Sequence, residues 1–135
     1  MGEAASGGAT SERGARLSRV LAFEVSRILR QLRERRELLL QLWSRYRARE
    51  PMVEALFSRW RTLEMTDLIE LDASVIEAVE PFYEAVDRLR TYFRFTEDMP
   101  VTLEEQLEAS LIELEVLGEV ALARLGGDPR DADGA

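Results

Sequence analysis

The densest run of residues able to do chemistry is Trp43-Ser44-Arg45-Tyr46-Arg47-Ala48-Arg49, followed by Ser58-Arg59-Trp60-Arg61. Aromatic faces stack on bases and guanidinium groups grip phosphate, so this interleaving suits single-stranded nucleic acid. Arg45, Arg47 and Arg49 advance by two, however, which scatters them around a helix instead of lining one face. Trp43 and Trp60 also fall beside apolar stripes, where a bundle core takes large side chains. A net charge of −8 repels a polyanion unless the acidic half is turned away. The favoured reading is therefore core aromatics with surface arginines. Trp43, Arg45, Tyr46, Arg47, Arg49, Arg59 and Arg61 stand as the alternative, a nucleic-acid or anion contact set.

Most other chemistry is excluded by residue type. The chain has no Cys and no His, which removes disulfides, thiolate nucleophiles, the commonest transition-metal ligand and the commonest general base. Every basic residue is Arg, so a lysine nucleophile or Schiff base is impossible. This Arg-only, Asn-free composition is that of a GC-rich, bacterial genome. Glu104, Glu105 and Glu108 lie close together, but a di-iron bundle needs Glu-x-x-His pairs that this chain lacks. They read as a solvated acidic face. Neither a phosphate-cradling Gly loop nor a nucleophile elbow occurs. No catalytic residue, metal ligand or cofactor is expected.

Charge is divided along the chain. Residues 1–61 hold 13 of the 18 basic residues and 7 of the 26 acids, a net of +6; residues 62–135 hold 5 and 19, a net of −14. Such a chain pairs its halves with each other, with a copy of itself, or with a charged partner. The basic half begins with an amphipathic segment in which Leu17, Leu21, Val25, Ile28 and Leu32 form one stripe, flanked by Arg30 and Arg33. These seven residues are the candidate partner interface. The competing expectation is that the segment docks on the chain's own acidic stretch, residues 62–87.

The elements that must position these residues are all helices. Apolar spacing predicts a first helix from Thr10 or Ser11 to about Glu50, where Pro51 stops it. A second helix starts at Pro51 with Met52, Leu56, Trp60 and Leu63 as its buried line. A short turn follows near 67–71, with Asp67 and Ser74 as capping-box starts. A third helix runs from Ser74 to about Phe95, kinked or divided by Pro81. The last helix is capped by Thr102 and Glu105, buries Leu103, Leu107, Leu111, Leu114, Gly118, Ala121 and Leu125, and ends at Gly126-Gly127. The repeated E-P-x-x-E-A at Glu50–Ala55 and Glu80–Ala85 reads as helix-start chemistry.

The fold class is thus all-α, a bundle of about four helices with an unusually long N-terminal helix. Residues 11–125 form a single domain, and residues 1–10 and 126–135 are expected to be disordered tails. A first helix of about 57 Å outruns neighbours of about 35 Å, leaving apolar surface for an interface. The function expected is a non-enzymatic protein–protein interaction module, an adaptor, scaffold or assembly subunit that self-associates through the long basic first helix. The alternatives are an Arg/aromatic nucleic-acid-binding small subunit and, more weakly, a small helical enzyme binding an anionic substrate. The partner is a protein or a second copy of the chain, with nucleic acid the lesser expectation. No membrane span or secretory leader is read in the sequence, so the expected location is cytoplasmic.

Overall fold

Ser11 opens the first helix: its Oγ accepts the Gly14 N–H at 2.9 Å and donates to Glu70 at 2.6 Å. The computed structural model describes residues 11–126. Among them are five α-helices, a 3₁₀ turn and no strand: α1 (Glu12–Tyr46), α2 (Glu50–Ala55), the 3₁₀ turn Trp60–Thr62, α3 (Met65–Leu68), α4 (Ala73–Phe95) and α5 (Pro100–Leu125). The expected tails at 1–10 and 126–135 lie outside the described residues, except Gly126.

At 35 residues α1 is about 52 Å long. It ends before Pro51 is reached, because Arg47 takes a left-handed conformation at φ 53°. The Arg47 backbone N–H and its guanidinium both donate to the Trp43 carbonyl, at 2.9 and 3.0 Å, and close the helix end.

The second helix is shorter than its apolar spacing predicts. It closes at Ala55, where Leu56 and Phe57 donate back to Val53 and Glu54 in tight i→i−3 bonds. Met52 and Leu56 are fully buried, while Trp60 and Leu63 pack on the core from the 3₁₀ turn and the loop after it. Asp67 is the acid inside a capping arrangement rather than its start, accepting the Glu64 N–H at 3.0 Å. α4 starts from Asp72 rather than Ser74.

Pro81 does not divide α4, which runs on through it. Pro81 is exposed while Phe82 and Tyr83 beside it are buried, so packing of the buried side holds the helix through the proline. The helix-start reading of E-P-x-x-E-A therefore fits Pro51 and fails for Pro81. α5 begins at Pro100, two residues before Thr102, since proline at the first turn needs no N–H partner. Its predicted buried face is met at every position, and Gly126 closes it at φ 81°.

Helix neighbours form a closed circuit: α1 against α5, α5 against α4, α4 against α2, and α2 against α1. The bundle of four is thus met only roughly, since a six-residue helix and the turn after it occupy the fourth position. Arg36 meets Glu104 and Glu108 while Leu29 meets Gly118, so α1 and α5 are antiparallel. At Gly118 an added Cβ would lie 2.8 Å from Leu29 Cδ1 and 3.3 Å from Phe82 Cε1. Glycine is needed there for the close approach of three helices.

Candidate partner-binding surfaces

The stripe expected to face a partner is consumed by the fold. Leu21, Val25, Ile28 and Leu32 have no exposed surface and belong to the core, and Leu17 packs against it. A helix buries its most continuous apolar face first, and here the chain's own α5, the main neighbour of α1, supplies the cover. Arg33 and Arg36 pair with acids of α5 (Glu115, and Glu104 with Glu108), rather than with the 62–87 stretch. Burial alone would lower Arg36, but the hydrogen bonds and charges of Glu108, Glu104 and Glu37 raise it above its usual value. Arg13–Asp67 and Arg61–Asp87 do reach residues 62–87, so part of the basic half is neutralised there.

The seven residues of the Arg/aromatic set are not gathered into one platform. Trp43 has no exposed surface, its indole N–H donates to the Asp98 carbonyl at 3.1 Å, and the guanidiniums of Arg47 and Arg49 lie 5.2 and 5.1 Å from its ring centroid. A ring enclosed in this way offers no face to a base. Arg49 donates to the carbonyls of Phe93 and Arg94 and to Glu97, closing the end of α4. Trp60 stacks on Tyr83 at 5.2 Å with a 4° interplanar angle. Arg45 and Tyr46 are exposed at the end of α1.

What the structure leaves open lies on the other side of α1. Glu24 is buried, and its carboxylate accepts the Arg59 backbone N–H at 2.8 and 3.0 Å and the Tyr83 hydroxyl at 2.8 Å. Burial above all, then the charge and hydrogen bond of Glu24, push the Tyr83 phenol up. This anchor pulls the 56–59 loop onto α1 and forms a cleft of about 590 Å³. Val20, Phe23 and Phe57 supply its apolar walls; Arg27, Arg30 and Arg59 supply its charge. Phe23 is 76% exposed and Phe57 half exposed. Arg27 donates to Gln31 and the Phe57 carbonyl, whereas Arg30 makes no hydrogen bond or ion pair among the described residues. A second cleft of about 280 Å³ shares Arg27 and Glu54 with the first and continues the groove past Arg35 to Leu38.

α5 carries a second unpartnered surface. Ile112, Val116 and Val120, four residues apart, are 62%, 61% and 51% exposed on the side away from its core leucines. Ala109 lies on the same face, with exposed Glu105 one turn before it and exposed Glu119 between Val116 and Val120. A helix apolar on opposite faces is one that expects cover on both. The four-residue spacing of Ile112, Val116 and Val120 was a legible signal for it. The Glu24 anchor had none, because its partners are 35 and 59 residues away in sequence.

Among the described residues no helix is long and apolar enough to cross a membrane. The site and fold together define an all-helical protein with two uncovered apolar surfaces of opposite charge. No protein-family model, curated protein or solved structure matches the chain.

Proposed function

We propose that this chain is a non-enzymatic helical interaction module, an assembly subunit that self-associates through its long basic first helix. The face used is not the Leu17–Leu32 stripe but the groove on the opposite side of α1. The observation that carries the reading is the cleft itself: exposed Phe23 and Val20 beside Arg30, a half-buried guanidinium without a partner among the described residues. Exposed aromatics ringed by arginine are the composition of interface hot spots. An arginine left unsatisfied beside apolar walls favours a ligand that is both acidic and apolar, a description that fits a protein helix better than a polynucleotide.

Size exclusion with light scattering, with absorbance at 260 and 280 nm read across the same peak, tests this. A protein-only species heavier than 15.4 kDa is the expected result. A peak carrying excess absorbance at 260 nm would replace the proposal with nucleic-acid binding.

A further inference from the structure

We infer that the occupant of the Arg-lined groove is the exposed face of α5 from a second copy of this chain, so that copies join head to tail. This rests on the self-association proposed above and adds which surfaces meet.

The charges select this pairing over the others. Two grooves placed together would oppose Arg27, Arg30, Arg35 and Arg59 with their equivalents. Two α5 faces would bring Glu105 and Glu119 of each copy into one contact. Groove against α5 is the combination that sets arginine opposite glutamate and keeps like charges apart. The acids exposed along the groove are Glu54 in its lining and Glu34 on the same face of α1 between Arg30 and Leu38, and Arg27, Arg30, Arg35 and Arg59 outnumber them. Glu105 and Glu119 make no ion pair among the described residues, whereas Glu108 and Glu115 are already held by Arg36 and Arg33. The acids available to a partner are thus these two, which share the stripe's face.

Length agrees as well. Along α1 the groove runs from Val20 to Leu38, about 27 Å at the helical rise. Glu105 to Glu119 spans about 21 Å. Ile112 and Val116 then fall between the two acids, with Val120 just past Glu119, where Phe23, Val20 and Phe57 offer apolar walls. In the circuit of helices α5 sits diagonally across from α2, which forms one wall of the groove. The two surfaces therefore lie on opposite sides of the bundle, and a contact between them is heterologous. Such contacts propagate into a ring or a filament rather than closing as a two-fold dimer.

The experiment uses Phe23→Glu to spoil the groove and Val116→Glu to spoil the stripe, both at exposed positions that leave the core intact. Each variant is run alone and as an equimolar mixture by size exclusion with light scattering, beside the wild-type chain and with helical content checked by circular dichroism. The wild type should exceed a dimer in mass, and each variant alone should be a monomer. The mixture should give a species of twice 15.4 kDa, because one copy brings an intact groove and the other an intact stripe. A wild type that assembles while either variant alone still forms dimers, or while the mixture stays monomeric, overturns the head-to-tail pairing and leaves self-association standing. A monomeric wild type at high concentration and low salt overturns both.

Discussion

Glu24 on α1 and Arg59 in the loop after α2 are joined by a backbone N–H shared between both carboxylate oxygens, at 2.8 and 3.0 Å. The same carboxylate holds Tyr83 of α4 at 2.8 Å and Arg27 at 3.5 Å. One buried acid therefore ties α1, α4 and the connector together, and the groove exists because that connector is held there.

Removing the acid should cost more than removing its charge. Glu24→Ala leaves the Arg59 N–H and the Tyr83 hydroxyl buried without their acceptor, a loss of about 3 kcal/mol. Glu24→Gln keeps the shape and one acceptor oxygen and should lose about half as much. Urea unfolding of the two variants checks the ranking; equal losses would mean that the carboxylate's second oxygen contributes as much as the whole side chain.

Stability should fall at alkaline pH in a way that depends on Tyr83. Burial, then Glu24, raises the phenol above its ordinary value of about 10, so the folded state keeps its proton where the unfolded chain releases it. The contribution is fully present below about pH 10 and is lost as pH rises beyond it. Tyr92, raised by burial and its bond to Asp98, acts in the same direction. Tyr83→Phe should cost about 1–2 kcal/mol near neutrality through the lost bond to Glu24, with a shallower decline above pH 10. Parallel alkaline limbs for wild type and variant would contradict this.

Gly118 should tolerate little. Gly118→Ala forces Leu29 Cδ1 and the Phe82 ring to give way, offset in part by better helix propensity, for a net loss of roughly 1 kcal/mol. Gly118→Val adds two further atoms to the same space and should cost roughly 3 kcal/mol. Thermal melts of both would show the gradient, and a stabilised valine variant would refute the close approach.

Ile28→Glu should unfold the chain rather than dissociate it. Ile28 has no exposed surface, and an unpaired carboxylate in that core costs more than about 4 kcal/mol, a large part of a domain's stability. Loss of the helical spectrum is the expected result; a folded monomer would return Ile28 to the interface.

Trp43 should report on structure and not on nucleic acid. Trp43→Phe keeps most of the packing but leaves the Asp98 carbonyl without its donor, a loss of about 2 kcal/mol. Its retention on heparin should match that of the wild type. A large drop in retention would mean that the indole is reached by a ligand after all.

Helical class, the long first helix and the core face of the last helix were legible in the sequence, because each depends on apolar spacing within one segment. The end at Gly126 was legible for the same reason, since a left-handed residue at a helix terminus favours glycine. Three matters were decided only by tertiary structure. The Leu17–Leu32 stripe proved to be core because α5 competes for the same apolar surface that a partner would use, and spacing cannot say which wins. Pro81 remained within α4 because packing on the buried Phe82 and Tyr83 outweighs one missing hydrogen bond. The groove arises from Glu24 meeting Arg59 and Tyr83 across 35 and 59 residues. A hydrogen bond between distant segments leaves no periodic trace in either, so it becomes visible only when the chain has brought them together.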